Sequence, residues 1–265
     1  MPTCPICGAE IAEGAVCRKH LARSGGASRT VVSKNWLAVL AVVLLFAAFF
    51  AALIAPAIQQ VRSGRRSPAT NNIRNLALSV HNYHDAHDSL PLAPRHQGAP
   101  AHGWQTHMLP YLEQSRLYET IDFARVWDDP ANAAAFRTEV EAFIDPGASE
   151  KKDARGYPLF HYAGNVHVLG RVPALKFGDI RDGTTNTILM GEIGEGPRAW
   201  GDPASLRDPA LGLNRGPATF GHPRKHGGVN FGSLDGAVYY LYGDTSLEVL
   251  EALATPAGGE EMSFP

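Results

Sequence analysis

A chain of 265 residues with 45% hydrophobic and 19% charged residues has an ordinary folded composition and room for one large domain or two small ones. Its formal net charge of -2 excludes the strongly basic surface that a nucleic-acid partner requires. The three cysteines, Cys4, Cys7 and Cys17, all lie at the N-terminal end, which excludes a small domain stapled by disulfides.

Charge is unevenly distributed. Residues 1–61 carry five Lys/Arg against two Asp/Glu, and the remainder carries nineteen against twenty-four. The sequence divides into a Cys/His segment at 1–22, a polar linker at 23–35, an apolar span at 36–58, a large region at 66–255 and a tail at 256–265.

In the first segment, Cys4-Pro5-Ile6-Cys7 is followed after nine residues by Cys17-Arg18-Lys19-His20. Two pairs with two intervening residues each grip one side of a tetrahedral ion. Thiolate and imidazole are the ligands Zn²⁺ takes in closed structural sites. Cys4, Cys7, Cys17 and His20 are therefore the predicted zinc ligands of a ribbon-like head. Four protein ligands leave no open coordination position, so the zinc is structural. With so few apolar residues, the segment should fold only with metal bound.

From Asn35 to Val61 there are 27 residues without a charge, flanked by Lys34 and Arg62. About 20 apolar helical residues cross a hydrocarbon core of roughly 30 Å. A buried soluble helix rarely stays apolar on every face over this length. The run also exceeds the h-region of a cleaved signal peptide. The expectation is a single-pass helix at 36–58 in a lipid bilayer. Arg23, Arg29 and Lys34 precede it and Arg62, Arg65, Arg66 and Arg74 follow it, so flanking charge does not set its direction. Thiolate ligands survive best in a reducing compartment, which favours a cytoplasmic N-terminus and an extracytoplasmic C-terminal domain.

Beyond the span, Ser67-Pro68 suits an N-cap followed by proline at the first helical position. Ile73, Leu76, Ala77, Val80, Tyr83 or His84, and His87 then recur at helical spacing, which predicts an amphipathic helix over 69–87. Shorter helices are predicted at 107–120, with Leu109, Leu112 and Leu117 inward, and at 130–138. Apolar or alternating runs at 159–168, 187–191, 229–234 and 237–241 read as antiparallel strands. Asp235-Gly236 between the last two reads as a type I′ hairpin turn. A long helix followed by a meander is an α+β arrangement.

Three further groups carry chemistry-bearing side chains. His81, His84 and His87, beside Asp85 and Asp88, share one helix, and adjacent pairs could chelate a metal. The preferred reading places them at the edge of the core. The segment Asp179-Ile180-Arg181-Asp182-Gly183-Thr184-Thr185-Asn186 offers oxygen ligands of the kind Ca²⁺ takes, without the spacing of a helix–loop–helix calcium site. A hydrogen-bonded turn entering a strand is preferred there. Glu192 and Glu195 are read as solvated. No nucleophile elbow, P-loop or zinc-protease helix occurs.

Four segments follow one another in a familiar order: 71–90 (NNIRNLALSVHNYHDAHDSL), 103–118 (GWQTHMLPYLEQSRLY), 179–192 (DIRDGTTNTILMGE) and 226–236 (HGGVNFGSLDG). Together they resemble a pilin-like family of unknown function, expanded in planctomycete bacteria and recognised by a C-terminal His-x9-Asp-Gly signature. Its members usually begin with a type II secretion prepilin segment. The resemblance implies a pilin-like fold, an N-terminal helix packed on an antiparallel sheet, and partners among envelope or secretion-type proteins.

The chain departs from that pattern in several places. Ser33-Lys34-Asn35-Trp36 stands where a prepilin cleavage site belongs, and the filament-registering glutamate is absent. Only eight residues separate His226 from Asp235, and Phe143-Ile144-Asp145-Pro146-Gly147 replaces a cysteine-containing segment. The implied molecule is a permanently anchored, pseudopilin-like envelope protein with a structural or interaction role and no chemistry of its own. A membrane-tethered ligand-binding or sensory module is the alternative, and a metal hydrolase using His81, His84, His226 or Asp235 is the remote one. No small-molecule ligand is specified.

Overall fold

The computed structural model describes residues 3, 8, 10, 39–46, 66–92, 102–221, 227–259 and 264. The chain divides into two units, Met1–Gln59 and Gln60–Pro265. Within the first, residues 39–46 are helical. The rest of the predicted span at 36–58 lies outside the described residues. Among those described, no helix is long and apolar enough to cross a membrane.

The second unit opens with α1 (Arg66–His87). Ile73, Leu76, Ala77 and Val80 are fully buried on one stripe, as the 3.6-residue period demands. The helix starts at Arg66, so Pro68 sits inside its first turn and Ser67 does not precede the helix as a cap. Proline is tolerated there because the first N–H groups have no intrahelical partner. Asp88 ends the helix in the left-handed region (φ 52°), and its N–H reaches the His84 carbonyl at 2.7 Å.

The helix expected over 107–120 is two shorter pieces. A 3-10 helix runs Trp104–Leu112, and α2 runs Ser115–Glu119. Pro110 inside the first piece donates no hydrogen bond, and Glu113 (φ 60°) turns the chain before the second begins. Next comes α3 (Ala133–Phe136), shorter than predicted.

The strands follow as β1 (Leu159–Phe160), β2 (Tyr162–Asn165), β3 (Ile188–Glu192), β4 (Arg198–Ala199), β5 (Leu206–Arg207), β6 (Val229–Ser233) and β7 (Val238–Leu241). The strand expected to reach Val168 stops at Asn165, where a helical turn, α4 (Val166–Leu169), begins. The Asn165 side chain accepts from the His167 N–H at 2.9 Å and so caps that turn. The chain closes with α5 (Leu247–Ala254), capped by Ser246.

The α+β class is as expected, but the sheet is mixed. Its order is β5-β2-β3-β6-β7, with β5 parallel to β2 and the other pairs antiparallel. Short β1 and β4 pair separately. Every residue of β3 and β6 is buried, because α1 lies against both strands on one face and Leu250 and Leu253 of α5 pack with Val229 and Phe231 on the other. Gly232 of β6 admits α1: a Cβ there would lie 2.7 Å from Ile73 Cγ2.

The hairpin between β6 and β7 is not a type I′ turn. The Ser233 N–H bonds the Ala237 carbonyl at 3.0 Å, and Gly236 takes the positive φ (86°) while Asp235 does not. The loop therefore has three residues, with glycine at its left-handed position.

The larger core is aromatic. Trp200 packs against Phe136 (4.4 Å between ring centroids) and Phe143 (5.8 Å), and Phe160 meets Phe143 (5.2 Å) and Trp104 (5.7 Å).

Candidate functional site

The predicted zinc ligands Cys4, Cys7, Cys17 and His20 lie outside the described residues, as does His226. Beside the first two, Thr3 and Glu10 form an antiparallel bridge and Gly8 takes φ 69°. Among the described residues no group of three metal-type side chains gathers.

The histidines of α1 are built into packing. His81 Nε2 donates to the Leu234 carbonyl at 2.6 Å, which ties the helix to the β6–β7 turn. His84 Nε2 accepts from the Phe177 N–H at 3.3 Å, and both rings lie on Phe177, with centroids at 4.8 and 4.2 Å. His87 stacks on Tyr83 at 4.2 Å. The Nε2 atoms of His81 and His84 thus serve different partners instead of converging on one ion. Asp88 forms an ion pair with Lys176 across the helix end.

The Asp179–Asn186 segment is a set of turns. Asp179 Oδ2 accepts from the Lys176 N–H at 2.8 Å. Asp182 takes the N–H groups of Gly258 (2.7 Å) and Gly259 (2.9 Å), while the Arg181 N–H bonds the Pro256 carbonyl at 2.7 Å. The carboxylate read as a possible calcium ligand fastens the residues after α5. Asp235 serves its own turn through Ser233 Oγ and the Ala237 N–H. Burial acts to raise its carboxyl pKa, but these bonds and one from Thr185 outweigh it and hold the value below the usual range.

Glu192 is the main correction among the single residues. It is 2% exposed, not solvated, and takes two hydrogen bonds at 2.9 Å, from the Asn230 N–H and from Asn230 Nδ2. A carboxyl group at such a depth needs hydrogen-bond partners of this kind. Around it, the Gly228 N–H reaches the Tyr240 hydroxyl at 2.6 Å and Asn214 Nδ2 reaches the Gly227 carbonyl at 3.2 Å. A Cβ on Gly228 would fall 2.0 Å from the Leu241 carbonyl oxygen, so only glycine fits. Sequence reasoning missed Asn230, Tyr240 and Asn214. The available signal was a charged residue closing the apolar strand Ile188–Glu192 and an amide inside Val229–Ser233.

A second polar group sits at the start of the 3-10 helix. Gln105 Nε2 reaches the carbonyl of Trp200 at 2.5 Å, while Gln105 Oε1, Thr106 Oγ1 and His102 Nδ1 are buried without hydrogen-bond partners. Among the described residues there is also an open cleft of about 370 Å³, lined by Glu139, Glu141, Ile144, Pro146 and Lys151.

The family model described as a protein of unknown function (DUF1559) matches residues 59–216. The chain belongs to this family. The match takes in α1, the 3-10 helix, the aromatic core and β1 to β5, and ends before Asn230, the Glu192 partner on β6. No curated protein and no solved structure matches the chain.

Proposed function

We propose that this member of the family is a membrane-anchored, pseudopilin-like envelope protein with a structural or interaction role. The observation that carries the reading is the apolar helical stretch at 39–46. There Val39, Leu40, Val42, Val43, Leu44, Leu45 and Phe46 are all exposed, at 49–69%. Seven large apolar side chains facing outward in an uncharged run have a natural home in lipid. The pilin-like part rests on α1 lying along the sheet in the order the resemblance implies.

In this reading Cys4, Cys7, Cys17 and His20 hold a structural zinc on the cytoplasmic side. The Thr3–Glu10 bridge and the left-handed Gly8 support a tight turn at the first cysteine pair. The C-terminal domain is extracytoplasmic and meets other envelope or secretion-type proteins. The cleft at Glu139 and Lys151 supports a ligand-binding or sensory module as the second reading.

The test is membrane extraction at alkaline pH, followed by protease treatment of intact spheroplasts. Retention in the pellet with loss of the C-terminal domain to external protease is expected. Release of the full chain into the supernatant would overturn the anchor, and protection of the domain would reverse its orientation. Affinity purification from solubilised membranes then asks whether secretion-type proteins accompany it.

A further inference from the structure

His102 is 2% exposed, and its Nε2 lies 2.8 Å from the Arg125 carbonyl oxygen, an atom that can only accept. The ring is therefore the Nε2–H tautomer, and the unpartnered Nδ1 carries a buried lone pair. A proton arriving there would become a buried N–H with no acceptor. His107, further along the same segment, stacks on Phe123 at 5.7 Å with the planes 18° apart. Phe123 also lies 5.0 Å from the His102 ring, so one phenyl group covers both imidazoles.

The groups that face this pair come from several elements. From α1, Tyr83 lies 6.5 Å from the His107 ring and His87 acts on His107 through its charge; Tyr111 of the 3-10 helix lies against Tyr83, and Tyr118 of α2 against Phe123. The covering segment brings Asp122 and Arg125, themselves an ion pair at 3.3 Å. Asn132, fully buried, donates to the carbonyls of Asp122 (3.0 Å) and Val126 (3.1 Å) and accepts from the Asp122 N–H (2.9 Å). These bonds hold the covering segment together as one piece.

We propose that residues 120–132 form an acid-operated latch, which lies closed on His102 and His107 while both rings are neutral and opens when they take up protons.

Burial lowers the pKa of His102, against the opposing pull of the Arg125 carbonyl and Asp122. His107 is held down to about 4, by burial first and then by His102 and His87. A solvated imidazole titrates near 6.5. The open form therefore binds protons first. Stability of the closed form is complete above about pH 6.5 and drains away as pH falls toward about 4. For His107 alone, that gap multiplies the open-to-closed ratio by roughly 300-fold.

The test is amide hydrogen exchange on the full chain at about pH 7 and about pH 4.5, corrected for intrinsic rates. Protection across 120–132 is expected to fall by at least about thirty-fold on acidification, while the β6 amides keep theirs. The double variant His102→Gln with His107→Phe keeps a donor for the Arg125 carbonyl and a ring for Phe123, and carries no titrating group at either position. It should lose the response. Unchanged protection in the wild type, or an equal loss in the double variant, would overturn the latch. Should the double variant fail to fold, His107→Phe alone must shift the opening midpoint to lower pH, and an unmoved midpoint refutes the proposal.

Discussion

Asn165 offers the sharpest test of how the domain is held together. Its side chain is fully buried and makes three hydrogen bonds: it accepts from the His167 N–H (2.9 Å) and donates to the carbonyls of Ile188 and Ala254 (2.7 Å each). It joins β2, β3, α4 and the end of α5. Replacement by alanine leaves two buried carbonyls and one half-buried N–H without this partner, at about 1–3 kcal/mol each. Allowing for partial relaxation, the total is about 3–5 kcal/mol, a large share of a typical domain stability of about 5–15 kcal/mol. At about 2–4 °C per kcal/mol, Tm should fall by about 10 °C, read by near-ultraviolet circular dichroism of the buried tryptophans.

Asn165→Asp separates hydrogen bonding from packing. The new carboxylate would face two carbonyl oxygens, so its pKa in the fold rises above the unfolded value of about 3.9. Its damage is then greatest at neutral pH and shrinks as pH falls through the folded value. An Asn165→Ala variant within about 2 °C of wild type, or an Asp variant as stable as wild type near neutrality, would refute this account.

Other outcomes are as definite. Gly191→Ala should cost about 1–3 kcal/mol by overpacking, because its Cβ would lie 2.5 Å from Phe231 Cδ1; denaturant midpoints at unchanged m-value check it. Asp235→Ala should lower stability by about 1 kcal/mol and flatten the acid limb of the stability profile. Its depressed carboxyl pKa means that the contribution is present above about pH 3.9 and lost as pH falls through the folded value. Cys7→Ser should remove bound zinc from the full chain, measured by elemental analysis, and leave the thermal transition of the domain beginning at α1 in place. Retention of stoichiometric zinc in that variant would sink the ribbon.

The sequence by itself determined the elements whose side chains repeat with a regular period or whose turn chemistry is local. The stripe Ile73, Leu76, Ala77, Val80 marked α1, because a 3.6-residue period survives in any context that buries one face. The strands β3, β6 and β7 were legible as apolar runs bounded by glycine and aspartate, and Asp235-Gly236 marked their hairpin. The α+β class followed from that order.

Where packing or a single hydrogen bond decides, local reading failed. Pro110 and Glu113 split a helix whose leucines keep helical spacing, since a missing N–H and a left-handed residue outweigh propensity. Asn165 turned a strand into a helical cap because its amide found β3 and α5, partners far away in the chain. Whether β5 runs parallel or antiparallel to β2 depends on the path between them, which composition does not encode.

For the candidate site the division is the same. The zinc proposal for Cys4, Cys7, Cys17 and His20 rests on their spacing alone, because a tetrahedral ion fixes the geometry of its ligands. The fates of Glu192, His102 and His107 were set by tertiary structure. A carboxylate or an imidazole looks alike in sequence whether solvated or buried. Only the neighbours brought by the fold, Asn230 at Glu192 and Phe123 over the two histidines, separate the two cases.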